Sequence, residues 1–342
     1  MVGLDIREKS ILKSIIQSFI HTASPVGSSK LAQHSAIGLK SASVRRIMAS
    51  LEEKGYVEQP HTSAGRVPTT GGYRYYVNRL LQKSSINMQT KQIILQAVDT
   101  FDGDVNELLD SVSKVLAGIS NQLGIILTPK FEQSLFKKIQ LVPISVSRKM
   151  VILTTDNGTI KTIPIDVEPE LDGHDVQKQV GILNKRLSGK TLRAAQDELK
   201  HFIAEIKQVN KPIYRLLVEI EHKVFNFNRY EGYRLTGTRN ILAKPEFSDI
   251  QRVSTLMDLL EDREIIIHFL GQREVPPGVR ITIGSEHRES RIQACTVITS
   301  TYKLGQTSGI LGIIGPTRMP YRKMIPLVDF TARAISNKLN VC

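Results

Sequence analysis

The chain has 342 residues, enough for two or three domains of ordinary size, and its 46 Lys+Arg against 33 Asp+Glu give a net charge of +13. No stretch approaches the ~18 apolar residues of a membrane span, and the opening MVGLDIREKS carries charges where a signal peptide would be apolar. We therefore expect a cytoplasmic protein without a membrane partner. Its two cysteines, Cys295 and Cys342, exclude a disulfide framework and a cysteine-based zinc site.

The positive charge is concentrated near the N-terminus. Residues 1–83 hold 12 Lys+Arg against 5 Asp+Glu, a net charge of +7, whereas the remaining 259 residues hold 34 against 28, a net charge of +6. Such a concentration favours an anionic partner, nucleic acid above all. A solvated basic surface explains the same count, so charge alone leaves both interpretations open.

Three helices are predicted in the first 55 residues. Apolar residues at i, i+3, i+4 and i+7 from Leu12 to Phe19 indicate an amphipathic helix after Asp5. The segment SPVGSS interrupts this period, and its serines are candidate caps of a short helix that reaches about residue 34. The third helix begins at Ser41 or Ser43, both possible N-caps, and ends at Gly55.

The third helix carries the chemistry that first suggests DNA. Opposite its apolar stripe lie small residues and Arg46, flanked by Ser43 and Arg45. In a helix-turn-helix protein the N-terminal part of the second motif helix enters the major groove, where arginine bonds guanine O6 and N7. The competing interpretation is a solvated arginine pair on an ordinary exposed face.

A hairpin follows that helix and favours the DNA-binding interpretation. Tyr56–Gln59 and Arg66–Pro68 are predicted as two short strands, with His61 to Gly65 as the tip and Gly65 free to adopt a positive φ. This arrangement is a wing. Arg66 is placed to reach phosphates or the minor groove, and His61 and Ser63 lie at the tip, where His61 can donate to a phosphate.

A fourth helix explains the tyrosines after the wing. Tyr73 and Tyr76 share the helical period of Val77, and Thr69 or Thr70 caps the helix. We predict that these rings pack on the wing and the first helix rather than stack on bases. Arg74 and Arg79 are then left outside, within reach of the DNA backbone.

The order helix, helix, helix, hairpin, helix predicts a winged helix, and the residues themselves resemble a known family. SASVRRIMASLEEKGYVEQPHTSAGRVPTTGGYRYYV is similar to the signature of the heat-inducible transcription repressor family, HrcA. The similarity extends through IGSEHRES, CTVITSTY and GILGIIGPTRMPY. The chain departs from the family pattern at Arg46, where asparagine is usual, and at Pro320, where aspartate is usual. Arginine favours guanine where asparagine favours adenine, which changes the base preference expected at that contact.

The remaining chain mixes helices and strands. After a polar linker near Lys83–Gln89 come a helical segment, three β-rich runs and a further helical stretch, and strands and a last helix close the chain. The resemblance implies an α+β fold. Its parts are a winged helix-turn-helix domain (1–83), a GAF-like α/β domain (90–171 and 229–342) and an inserted helical dimerisation domain (172–228).

A dimer is also expected on energetic grounds, because one recognition helix cannot distinguish its site among ~10⁶ genomic sites, whereas two copies can read an inverted repeat. The resemblance implies that the operator is the CIRCE element upstream of chaperone operons and that GroE chaperonin modulates the repressor. The predicted DNA-binding residues are Ser41, Ser43, Arg45, Arg46, His61, Ser63, Arg66 and Arg74.

Two other functions compete with the repressor. In a metabolite-sensing regulator, the GAF-like domain would bind a small molecule that switches DNA affinity. An enzyme with an accessory DNA-binding module is the third class. The scattered histidines have neither metal-ligand nor triad spacing, so we predict no catalytic residues, no metal site and no cofactor.

Overall fold

A computed structural model describes residues 3–33, 38–82, 84–100, 105–129, 131–156, 160–167, 173–206, 211–225, 232–262, 266, 270, 278–305 and 307–341. The chain begins with the predicted winged helix. Its elements are α1 (Ile6–Thr22), α2 (Ser28–Ala32), α3 (Ser41–Glu53), β1 (Val57–Glu58), β2 (Val67–Pro68) and α4 (Thr70–Tyr75), which continues as a π-helical turn (Tyr76–Leu80).

The helix ends are set by local capping, partly as predicted. At Asp5 a capping box opens α1: Asp5 accepts from the Glu8 amide at 2.8 Å and Glu8 accepts from the Asp5 amide at 2.9 Å. The serine caps are wrong. Gly27 occupies the N-cap position of α2, and Lys40 rather than Ser41 or Ser43 occupies that of α3.

The wing is a small sheet that includes a residue from before α2. Val57 pairs with Pro68 and Glu58 with Val67, while the backbones of Val26 and Arg66 exchange two hydrogen bonds of 2.9 Å. This third segment corrects the predicted role of Gly65, which does not adopt a positive φ. Glycine is needed there because a Cβ would overlap the backbone of Val26.

The tyrosines are core residues, as predicted. Tyr73, Tyr75 and Tyr76 are all buried, and the Tyr75 ring meets the Tyr56 ring edge-on at 5.2 Å between centroids. Thr69 caps α4 by accepting from the Gly72 amide at 3.1 Å. The partner of Tyr73 was not anticipated: its ring lies 5.8 Å from that of Tyr321, near the C-terminus.

A five-stranded antiparallel sheet forms the centre of the second unit, in the order β7–β3–β10–β9–β8. Its strands are β3 (Leu123–Leu127), β7 (Tyr233–Thr236), β8 (Val279–Ile283), β9 (Cys295–Leu304) and β10 (Thr307–Pro316). The helices of this unit are α5 (Met88–Asp99), α6 (Val105–Ser120), α10 (Thr238–Leu242), α11 (Ile250–Glu261) and α12 (Tyr321–Val341).

Both faces of this sheet are covered, which explains its apolar strands. Alternate residues of β10, such as Leu311 and Ile313, join a core with α5, α6 and α12, whereas Ile314 faces α10 and α11. The first of these cores is continuous with the core of the winged helix. The two units are therefore packed together rather than connected only by a linker. Gly309, Gly312 and Gly315 lie on β10.

The third unit has its own core. A three-stranded antiparallel sheet of β4 (Phe136–Ser145), β5 (Arg148–Thr155) and β6 (Ile160–Asp166) packs against α7 (Gly173–Leu187), α8 (Leu192–Ile206) and α9 (Lys211–Val224). Strands β5 and β6 form an antiparallel hairpin, and the Asn157-Gly158 part of the turn between them lies outside the described residues.

The partition of strands differs from the expected boundaries. Strands β4 to β6 were expected in the GAF-like part, yet their buried residues contact α7 to α9 and none of these strands pairs with the five-stranded sheet within the described residues. Two groups of helices could have covered these apolar strands, and sequence periodicity does not indicate which group does so. The buried residues that share this core run from Phe136 to Phe225, a wider span than the 172–228 expected for the inserted domain.

Candidate nucleic-acid interface

The N-terminal half of α3 presents its polar side to solvent. Val44, Met48 and Leu51 are buried beneath the helix, while Lys40, Ala42, Ser43, Arg45 and Arg46 are exposed with all three units in place. We call these five exposed residues the reading face. Its small residues allow close approach to a groove, and its three cations match a phosphate-lined surface.

A buried carboxylate holds α3 against α1. Glu8 is only 5% exposed, and its Oε1 accepts hydrogen bonds from Ser50 at 2.8 Å and from the Lys54 ammonium. Burial raises the pKa of Glu8, but the bonds from Lys54, the Asp5 amide and Ser50 outweigh it and hold the pKa below its ordinary value. Glu8 therefore stays ionised and fixes the angle of α3. Through this contact the Ser50 side chain faces α1.

A second ion pair joins α3 to the wing. Arg66 places a guanidinium nitrogen 2.7 Å from the Glu52 carboxylate, and its side chain is only 17% exposed. The sequence prediction placed Arg66 at the DNA backbone, whereas the structure shows it bridging the two elements that would contact DNA. Nothing in local periodicity indicates this pair, because Glu52 falls on a flank of α3.

The wing tip carries the remaining predicted contacts. His61 and Ser63 are both exposed. The side-chain amide of Gln59 donates to the carbonyls of Thr62 at 2.8 Å and Ala64 at 3.0 Å, which orders the tip. Sequence reasoning did not single out Gln59. The tip is thus a preformed turn that presents its polar side chains outward.

Two predicted residues have different surroundings from those expected. The Ser41 hydroxyl lies 3.1 Å from that of Ser28, which connects α2 to α3. The prediction that Arg74 lies outside is wrong: its Nε donates to Glu286 at 2.7 Å and another nitrogen donates to the Ile281 carbonyl at 2.7 Å. Its guanidinium faces the five-stranded sheet because its acidic partner, Glu286, which is distant in sequence, lies there. Arg79 is exposed as predicted.

Together, α3, the wing and their bracing ion pairs define a DNA-binding transcription regulator of the winged helix-turn-helix class. Residues 13–61 match the model of the IclR helix-turn-helix domain, and residues 106–325 match that of the HrcA protein C-terminal domain. The chain belongs to the HrcA family of heat-inducible transcription repressors.

Full-length relatives agree with this assignment. Proteins named heat-inducible transcription repressor HrcA from Chlorobium chlorochromatii and Pelotomaculum thermopropionicum are 35% and 34% identical to the chain. They cover 99% and 98% of it, and 98% and 97% of their own lengths are matched. A crystal structure titled as a hypothetical protein at 2.2 Å resolution covers 99% of both chains with a TM-score of 0.67 at 23% identity, which shows the shared fold.

The comparisons favour repression over the two competing functions. The relatives are named as repressors, and neither metabolite sensing nor catalysis appears in those names. In the part of the chain that the structure describes, no helix is long and apolar enough to cross a membrane.

Proposed function

We propose that the protein represses chaperone operons by binding, as a homodimer, an inverted-repeat operator of the CIRCE type. The observation that carries this proposal is the reading face: two arginines and a lysine exposed on the N-terminal half of α3, beside an ordered wing. Family membership supports the operator and the cytoplasmic location that chromosomal DNA requires.

Seven of the eight predicted DNA-binding residues have a definite role in the proposal; the exception is Arg74, which is paired with Glu286. Arg45 and Arg46 contact base edges, Ser43 contacts the backbone beside them, and His61 and Ser63 contact the adjoining strand. Arg66 and Ser41 act indirectly: Arg66 fixes the wing to α3, and Ser41 fixes α2 to α3.

Regulation by GroE chaperonin follows from the same family membership. A repressor that needs chaperonin to remain folded loses activity when heat diverts chaperonin to other unfolded proteins. Since native proteins are stable by only ~5–15 kcal/mol, a modest change in folding assistance alters the active fraction substantially.

A salt-titrated gel shift tests the proposal. The probes are a CIRCE-type inverted repeat, a scrambled duplex of equal length and a single half-site, each with and without chaperonin. We expect inverted-repeat affinity at least about 10³-fold above the scrambled duplex, which is the lower end for specific DNA-binding proteins. Chaperonin should raise the active fraction after heating.

Arg46→Ala is the diagnostic variant, and Arg252→Ala, which removes an exposed arginine from α11, is its control. We expect Arg46→Ala to lower operator affinity by about 1–3 kcal/mol and Arg252→Ala to leave it unchanged. Equal affinity of wild type for the operator and the scrambled duplex would refute the proposed function.

A further inference from the structure

The winged helix is attached to the five-stranded sheet by a defined set of polar contacts. Two guanidinium nitrogens of Arg74, on α4, donate to the Glu286 carboxylate, one of them at 2.7 Å. Arg74 also donates to the Ile281 carbonyl of the edge strand β8. A two-pronged arginine–carboxylate pair restrains direction as well as distance, because both bonds must lie in one plane. We call Arg74, Glu286 and the contacts around them the domain interface.

The acceptor side of the domain interface is braced by hydrogen bonds within its own turn. Glu286 belongs to a 3₁₀ turn (Gly284–Glu286), where its Oε2 also accepts from the Ile283 amide at 2.8 Å and the His287 amide donates to Gly284 at 3.1 Å. Burial raises the pKa of Glu286, but the hydrogen bonds from Arg74 and the Ile283 amide outweigh that effect and hold the pKa below its ordinary value, so the carboxylate stays ionised.

Close packing adds a second point of attachment beside the ion pair. Gly284 has a φ of 52°, and a Cβ there would overlap the Thr70 hydroxyl, which accepts from the Ser285 amide at 3.3 Å. The motif IGSEH therefore presents a surface shaped for the start of α4. Gly284 allows the two units to approach closely there.

A third point of attachment lies at the C-terminal end of α1. Arg318 donates to the Ile20 carbonyl in the last turn of α1 at 3.1 Å, and the Glu246 carboxylate holds its guanidinium. The two neighbouring attachments at Arg74 and Thr70 and the third at Arg318 together restrain the orientation of the winged helix on the five-stranded unit. None of them covers the reading face, which remains exposed in the full chain.

We propose that Arg74 and Glu286 are positioning residues that set the distance and angle between the two reading faces of the dimer, and thereby the half-site spacing the repressor accepts. This inference rests on the proposed homodimer and its inverted repeat. A dimer whose two reading faces are held rigidly gains affinity only when the spacing of the half-sites matches the separation of those faces. If the reading faces are held flexibly, the dimer tolerates several spacings, but at a lower effective concentration.

The variants are Arg74→Ala, Glu286→Gln and the exchange Arg74→Glu with Glu286→Arg, compared with Arg333→Ala on the exposed side of α12. Each is titrated against a half-site and against inverted repeats whose spacing is native, or longer or shorter by three base pairs. Thermal unfolding identifies any variant that fails to fold. If Arg74→Ala fails to fold, Glu286→Gln, which keeps the shape of the side chain, takes its place.

We expect half-site affinity to change by less than about twofold, because the reading face is intact. Affinity for the native spacing should fall at least about tenfold, since avidity contributes about 10²–10⁴-fold in linked binding. The preference among spacings should flatten, and the charge exchange should restore part of it.

An unchanged spacing preference in both Arg74→Ala and Glu286→Gln would overturn the inference. So would a loss of half-site affinity with a flatter salt dependence in Arg74→Ala, because that result assigns Arg74 to the DNA backbone. Failure of the wild-type protein to bind any half-site or repeat would refute the proposed function. That result is distinct from the two results that overturn the role of Arg74 and Glu286.

Discussion

The arginines of the winged helix are chemically alike and have unlike surroundings. Arg45 and Arg46 are exposed, Arg66 is paired with Glu52, and Arg74 is paired with Glu286. A guanidinium already held by a carboxylate must give up that partner before it can bind a phosphate, at a cost in free energy. The four residues therefore divide into two exposed arginines, which we propose contact bases, and two paired arginines, which we propose hold the winged helix in position.

Arg66 can be tested by the shape of its salt dependence. We expect Arg66→Ala and Glu52→Gln to weaken operator binding by similar factors, about 3- to 10-fold, because each removes the same bridge between α3 and the wing. Neither should change the slope of log affinity against log salt by a full phosphate equivalent of about 0.9. Glu53→Gln, on the exposed side of α3, is the control. A slope change in Arg66→Ala alone would instead support the direct phosphate contact.

Arg46 offers a test of base preference, since this family usually has asparagine there. We expect Arg46→Asn to fold normally and to shift the favoured base at one position of each half-site from guanine to adenine, by about 1–3 kcal/mol. Selection from a library of operators randomised at single positions measures the shift. The same change at Arg45 should affect a different base pair; identical preferences before and after would contradict base contact by Arg46.

At the level of elements, α3 is held between α1 and the wing. Glu8 joins it to α1 through Ser50 and Lys54, and Glu52 joins it to the wing through Arg66. The apolar stripe of α3 accounts for burial, but a stripe alone allows a helix to rotate and slide by small amounts. The two carboxylates remove that freedom, which preorganises the reading face for docking.

The Glu8 contact predicts an acid-sensitive winged helix. Its folded-state pKa lies below the ordinary value, so its stabilising contribution is present above the unfolded-state pKa and is lost as the pH falls through the folded-state pKa. We expect Glu8→Gln to lower the free energy of unfolding at pH 7 by about 1–3 kcal/mol and to flatten its dependence on acid pH. Denaturant unfolding from pH 3 to pH 7 measures both effects. Glu58→Gln, exposed on the wing, should leave the curve unchanged.

At the level of the whole molecule, the units are joined in two different ways. The winged helix and the five-stranded unit share one continuous core, whereas the unit of β4 to β6 and α7 to α9 has a separate core. This separation suits an inserted unit whose proposed task is dimerisation, because its surface can pair with a second copy while each winged helix stays attached to its own five-stranded sheet.

Exposed apolar residues on the inserted unit give the dimer a testable surface. Val142, Ile144 and Val146 are 44%, 52% and 78% exposed along the edge strand β4 and its turn. If two copies pair there, Ile144→Asp should raise the dimer dissociation constant by at least about tenfold, because a buried unpaired carboxylate is costly. Sedimentation equilibrium measures the change, with Ile250→Asp, an exposed position on α11, as control. A dimer that tolerates Ile144→Asp assembles through another surface.

The sequence by itself determined the local elements and singled out Arg45 and Arg46 as the residues proposed to contact bases. Helical period, the glycine after α3 and the small residues around Arg45 and Arg46 all express interactions between near neighbours in the chain, so they predict the winged helix directly. Only the tertiary structure decided which arginines are free. Arg74 and Glu286 are 212 residues apart, and no local pattern records such a pair.

The same reason explains the sheet boundaries. The alternation in residues 136–166 predicts strands, but which helices cover them depends on packing between distant segments, and those segments compete for the same apolar faces. Local propensity therefore determined what each segment is, and long-range burial and charge pairing decided where it lies and what remains available to bind.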